Sequence, residues 1–192
     1  MNGLHDRIIE ISKKLRLAHL GSNLTSVDII DEIYTIKKEN EPFILSSGHA
    51  GLALFVVLEK HYGIDAEEIF RVCGTHPERN SKYKIYCSTG SLGHGLPISV
   101  GMALADRTRN VYCLISDGEC AEGTIWESAN IIRKYDVDNL KLYMNWNGWS
   151  AYDRIDIRMV EHLRNILPTM LVVETMVEEY GLSGLSAHYV KA

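Results

Sequence analysis

The sequence has no long hydrophobic run, no clustered cysteines and no excess of either charge, and each absence removes a class of protein. No apolar stretch approaches the ~20 residues that a membrane-spanning helix needs. The opening residues, Met1 to Glu10, carry charges where a secretory signal needs an apolar core. The four cysteines, Cys73, Cys87, Cys113 and Cys120, show no Cys-x-x-Cys spacing, so neither a disulfide framework nor a zinc site is indicated. A formal net charge of −5 with a pI near 5.9 weighs against nucleic acid or an acidic membrane surface as partner. No internal repeat, linker or low-complexity tract interrupts the chain. The expectation from these absences is a cytoplasmic globular protein.

What is present is an ordinary composition, 46% apolar and 23% charged over 192 residues. That length predicts a single domain over residues 1–192, able to bury about 70% of its unfolded surface. Leu4, Ile8, Ile11 and Leu15 recur at helical spacing and predict an opening amphipathic helix. Gly21-Ser-Asn should break it, and Thr25-Ser-Val-Asp28 has the form of a capping box for a second helix reaching Lys37. Phe43 to Ser46 reads as a short strand, His49 to His61 as a buried helix and Ala66 to Val72 as a short helix. A glycine loop then enters a helix that ends near Ala105. The apolar runs Val111–Ile115 and Leu140–Met144 predict strands, with a helix over Glu122–Tyr135 between them. Ile155 to Leu167 reads as a helix and Met170 to Glu174 as a strand, separated by the helix-interrupting Pro168. The fold class expected is α/β, a mostly parallel sheet with helices on both faces.

Two strand ends carry the chemistry. Ser116-Asp117-Gly118-Glu119 closes one strand, and Asn147-Gly148 closes the next, thirty positions after Asp117. In a parallel sheet those ends share one edge, where α/β folds bind ligands. A carboxylate and a carboxamide oxygen there suit Mg²⁺ or Ca²⁺, and Mg²⁺ commonly completes its octahedron with diphosphate oxygens and water. The alternative is a pair of unrelated turns, since Asp-Gly and Asn-Gly are common loop signals. Gly90-Ser-Leu-Gly-His-Gly95 precedes a helix whose N-terminal amides would suit the same diphosphate. Glu122 and Glu127, at the start of the central helix, sit where the helix dipole favours carboxylates, so capping explains them fully.

With their flanks, these residues resemble the transketolase family. The motifs that carry the resemblance are Ala18-His-Leu-Gly-Ser-Asn-Leu-Thr-Ser-Val-Asp-Ile29, Phe43-Ile-Leu-Ser-Ser-Gly-His-Ala50, His76-Pro-Glu78, Ser88-Thr-Gly-Ser-Leu-Gly-His-Gly95, and Asp117-Gly-Glu followed by Glu122-Gly-Thr-Ile-Trp-Glu127 and Asn147-Gly148. They stand in the family's order across roughly residues 5 to 152. The resemblance implies a thiamine diphosphate-binding fold that grips the diphosphate and its metal. It implies Asp117, Asn147 and the backbone oxygen of Trp149 as ligands of Mg²⁺, with Ca²⁺ possible. It places Gly90, Ser91, Leu92, His94, Ser116, Asp117, Gly118, Glu119, Asn147 and Trp149 at the cofactor. His19, His49 and His76 fall where the family has active-site histidines, which can donate to substrate hydroxyls or shuttle protons near neutral pH. Glu122 falls among acids at the junction of paired active sites. The chain departs from the family at Ser116, where glycine is usual, at Asn145, where aspartate is frequent, and at His94, which replaces a glutamine.

The family's second module, which holds the aminopyrimidine and supplies a glutamate to it, has no counterpart in these residues. The resemblance therefore implies the N-terminal subunit of a split transketolase. With a C-terminal, pyrimidine-binding subunit, in a heterotetramer of two plus two, it would transfer a two-carbon ketol unit from a ketose to an aldose. Sugars or sugar phosphates are the expected substrates, with no nucleic acid and no membrane. Glu174–Ser183 and His188–Lys191 resemble the end of this domain, which favours a compact natural subunit over a fragment. Two other readings stand beside it: the alpha subunit of a thiamine-dependent 2-oxo-acid decarboxylase or dehydrogenase, and a non-catalytic relative that kept the fold.

Overall fold

Four strands pair in parallel and in chain order: β1 (Phe43–Leu45), β2 (Val111–Ser116), β3 (Leu140–Trp146) and β4 (Leu171–Glu174). The structure is a computed structural model and describes residues 3–17, 19–150 and 153–175. Side chains alternate across the sheet, and the core divides accordingly. Phe43, Leu45, Tyr112, Leu114 and Tyr143 face a layer formed by α1 (Gly3–Leu15), α2 (Leu20–Ile36), α3 (Gly51–Tyr62) and α4 (Ala66–Cys73). Ile44, Val111, Cys113, Ile115, Leu142 and Met144 face α5 (Gly95–Ala105), α6 (Gly123–Lys134) and α7 (Ile157–Ile166). Both faces of the sheet are thus covered at its β1–β2 side, where the strands read as continuous apolar runs. The expected α/β architecture is the one observed.

The start of α2 differs from the sequence expectation. The helix begins at Leu20 and runs straight through Gly21-Ser22-Asn23, and no capping box forms at Thr25. Asn23 explains the difference. Its Nδ2 donates to the His19 carbonyl at 2.9 Å, and its Oδ1 accepts the Ala53 N–H of α3 at 2.8 Å. A residue that reads locally as a helix breaker is satisfied by a neighbouring helix, so the break is not needed. Thr25 Oγ1 instead donates back to the Ser22 carbonyl.

Two further boundaries moved. A 3₁₀ turn over Gly48–Ala50 precedes α3, and a second over Asp117–Ala121 separates β2 from α6. The C-terminal ends of the strands form one edge, where Ser46, Ser116, Asp117, Asn145, Asn147 and Thr175 succeed one another across the sheet. The family-like segments expected over Glu174–Ser183 and His188–Lys191 lie outside the described residues beyond Thr175.

Candidate functional site

A cavity of about 170 Å³ opens at this edge. Its walls include His19, His49 and His76, the glycine-loop residues Gly90 and Leu92, and Ser116, Gly118, Asn145, Asn147 and Trp149 from the ends of β2 and β3. Three segments far apart in sequence bring the histidines together. His19 is the left-handed residue (φ 61°) that starts α2, and its ring centroid lies 5.5 Å from that of His49. His49 sits in the 3₁₀ turn that follows β1. His76 packs against Gly90, where a Cβ would come within 3.0 Å of the imidazole, and where φ of +146° is open only to glycine.

The second half of the site is an oxygen cluster. Asp117 is fully buried; its Oδ1 accepts the Gly118 N–H at 2.9 Å and its Oδ2 the Gly148 N–H at 2.7 Å. The second bond ties the end of β2 to the Asn147-Gly148 turn. Burial pushes the Asp117 carboxyl up to about 7, against backbone hydrogen bonds, those of Gly148 and Gly118 first, that lower it. Asn147 Oδ1 accepts the Trp149 N–H at 2.9 Å, and the Trp149 carbonyl lies beside Gly118. A carboxylate, an amide and a backbone carbonyl are hard oxygen donors on two linked loops. A divalent cation would balance the buried Asp117 charge, so the residues present fit Mg²⁺ or Ca²⁺. No cluster of three or more His, Cys, Asp or Glu that could hold a metal occurs among the described residues. The donor set is of the oxygen type only.

Glu119 does something other than line the cavity. It is fully buried, and its carboxylate gathers Ser46 Oγ at 2.5 Å, Gly93 N–H at 2.8 Å and Ser116 N–H at 2.8 Å. Burial raises its pKa, and these donors pull it back down. One side chain therefore holds the end of β1, the glycine loop and the end of β2 in register. Ser116, a departure from the family, completes this arrangement as the N-terminal partner of Glu119 in a capping box and also faces the cavity.

The same clamp changes the role of the glycine loop. The Gly93 N–H is spent on Glu119, the His94 N–H on the Ser91 carbonyl and the Gly95 N–H on Ser46 Oγ. The Gly95 amide that opens α5, and the Gly93 and His94 amides before it, are thus bonded within the protein and not free for a diphosphate, which the loop sequence had suggested. A buried carboxylate and hydroxyl claim those donors because unpaired they would be costly. Ser91 and His94 are exposed and off the cavity wall. Glu122 is half-buried against Gly93 and also off the wall; as the N-cap residue of α6 it makes no side-chain cap hydrogen bond and sits where the helix dipole favours a carboxylate. Glu127 is exposed. Cys120 is buried, and burial lifts its thiol to about 12, which leaves it unreactive.

Sequence reasoning missed the serines. Ser22, Ser26, Ser47 and Ser150 line the cavity. Ser22 and Ser26 are four apart on one face of α2, a spacing that carries meaning only once the helix is known to include them.

Residues 15–166 match the family described as transketolase, thiamine diphosphate binding domain. The chain belongs to the transketolase family. It is 31% identical over 161 residues to an apulose-4-phosphate transketolase subunit of Phocaeicola vulgatus, covering 73% of this chain and 57% of that protein. It is 30% identical over 166 residues to a 6-deoxy-6-sulfo-D-fructose transketolase subunit of a Clostridium species, covering 76% and 60%. The chain thus spans less than two thirds of the length of these relatives. The fold agrees with that of a transketolase from Campylobacter jejuni, with a TM-score of 0.74 at 21% identity, over 96% of this chain and 38% of the other. No helix among the described residues is long and apolar enough to cross a membrane.

Proposed function

We propose that this chain is the diphosphate-binding, N-terminal subunit of a two-subunit transketolase of the cytoplasm, working with thiamine diphosphate and Mg²⁺. The observation that carries the reading is the cavity in which three histidines meet the Asp117 and Asn147 loops at the C-terminal edge of the sheet. Asp117, Asn147 and the Trp149 carbonyl would hold the metal. The walls at Gly90, Leu92, Ser116 and Gly118 would bound the diphosphate. When bound, the cofactor supplies stabilisation of the carbanion, and the protein supplies orientation and proton management. His19, His49 and His76 would face the sugar, holding its hydroxyls and moving protons at its oxygens.

The cavity bounded by the described residues is small for a complete cofactor site. About 170 Å³ is well below the roughly 300–1,000 Å³ of a complete small-molecule site. This chain offers one wall, and a pyrimidine-binding subunit would close it, in an assembly of two plus two with Glu122 near the junction of like chains. Relatives named as subunits of apulose-4-phosphate transketolases favour the same division. The acceptor and donor are then expected to be sugars or sugar phosphates.

The test is reconstitution. The purified chain should give no ketol transfer by itself, and transfer should appear on adding a C-terminal transketolase subunit, with light scattering reporting the complex. Robust transfer by the chain without a partner would refute the split-enzyme reading. Release of CO₂ from a 2-oxo acid by the complex would replace it with the decarboxylase reading.

A further inference from the structure

The cavity floor below the oxygen cluster is built of neutral amides and hydroxyls, and an inventory of their protons gives it a polarity. Asn145, 2% exposed, spends both amide hydrogens on α2, with Nδ2 3.0 Å from Thr25 Oγ1 and 3.0 Å from Ser26 Oγ. Its Oδ1 accepts from Thr175 Oγ1 at 2.5 Å. An amide nitrogen can only donate, so both α2 hydroxyl oxygens accept from it. Thr25 then gives its own proton to the Ser22 carbonyl at 3.3 Å. Ser26 has no such outlet. It is 1% exposed and lines the cavity, and its proton finds no acceptor among the described residues. Ser47, 2% exposed on the same cavity, has a buried Oγ with no hydrogen-bond partner among the described residues. Buried hydroxyls left uncommitted in this way are uncommon and call for an explanation. The described lining also contains no lysine or arginine to receive an anion.

We propose that Ser26 and Ser47 are ligand-binding residues that donate their hydroxyl protons to the charged oxygens of the bound diphosphate, with the Asn145 amide holding Ser26 in the donating orientation. The proposal rests on the reading of this cavity as a metal–diphosphate site. It also accounts for an amide at position 145. A carboxylate there could only accept, so Thr25 and Ser26 would turn their protons to it and present lone pairs to the ligand. Asn145 is thus a positioning residue, and the two serines are the contacts.

Calorimetry of the full chain, with and without its partner subunit, would test this with Mg²⁺–pyrophosphate, Mg²⁺–thiamine diphosphate and unphosphorylated thiamine as probes. Ser26→Ala and Ser47→Ala should each weaken both phosphorylated probes about tenfold or more, as expected for a lost hydrogen bond to a charged group, and leave thiamine unaffected. Asn145→Asp should weaken them at least as much, and adding Ser26→Ala to Asn145→Asp should cost nothing further. Unchanged pyrophosphate affinity in both serine variants, or a loss seen only in turnover, would overturn the inference while leaving the site reading intact. If the unsubstituted chain binds neither phosphorylated probe in either setting, the site reading falls and the inference falls with it. Should one serine variant fail to fold, the other and Asn145→Asp, which keeps every heavy-atom position occupied, carry the same comparison.

Discussion

Ser46 and Glu119, 73 residues apart in sequence, meet in a fully buried hydrogen bond of 2.5 Å from hydroxyl to carboxylate. Through it the end of β1 is fixed to the turn that follows β2, and the glycine loop is fixed to both by the Gly93 N–H on the same carboxylate oxygen. The shape of the cavity depends on this contact even though Glu119 lies behind the wall.

Glu119→Ala should therefore act on stability and binding together. It leaves a buried hydroxyl and two backbone N–H groups without an acceptor, at a cost of about 3 kcal/mol or more by the usual penalty for unsatisfied buried donors. Urea unfolding should read that loss. Thiamine diphosphate affinity should drop as well, because the three loops lose their common anchor. An unchanged midpoint would mean that the loops are held by something else.

Asp117 makes the stability of the metal-free chain depend on pH. Its carboxyl is raised by burial from 3.8 to about 7, so the folded state holds the proton more tightly than the unfolded one. That contribution is complete below about pH 4 and is lost as pH rises toward 7, a change on the order of 4 kcal/mol. Thermal unfolding without metal should show this decline, Mg²⁺ with cofactor should reverse it near neutrality, and Asp117→Ala should abolish both. A flat profile for the unsubstituted chain would contradict the buried, uncompensated carboxylate.

His49→Ala and His76→Ala should lower turnover of the reconstituted complex by about 10²-fold, the typical cost of a lost acid–base or oxyanion contact. Cofactor affinity, measured by titration, should change far less, because these rings are proposed to face the sugar and the metal is assigned to Asp117, Asn147 and the Trp149 carbonyl. Full activity in both variants would assign the histidines to packing.

Gly95→Ala should be destabilising although the position is helical and alanine favours helices. A Cβ there would sit 2.5 Å from Ser46 Cα, a backbone atom that cannot yield without moving β1. Overpacking of this kind costs about 1–3 kcal/mol. Chemical denaturation would measure it, and a stabilised variant would show that the β1–α5 contact is looser than described.

Much of the fold was legible because its signals are local. The strand at Val111 shows as a continuous apolar run since both its faces are buried, the strand at Leu140 shows as an apolar run interrupted by the exposed Lys141, and α3 shows through its apolar content. The Asp117 and Asn147 turns were readable because parallel strands bring their C-terminal ends to one edge whatever the details between them. The start of α2 was not readable. Gly21-Ser-Asn carries the signature of a break, and only the Ala53 amide, 30 residues on, supplies the hydrogen bond that removes it.

The α/β class, the family, and the gathering of the Asp117 and Asn147 turns at one sheet edge were legible along the chain, since each rests on residue types at short or fixed spacing. Tertiary structure decided what those residues do with their protons. It turned the Gly93 and Gly95 amides inward to Glu119 and Ser46, set Glu119 behind the wall as a clamp, and moved Ser91, His94 and Glu122 off the cavity. It also brought Ser26 beneath Asn145, 119 residues away. Hydrogen-bond donors are assigned by whichever buried acceptor comes within about 3 Å, and that distance is set by packing between segments that are remote along the chain.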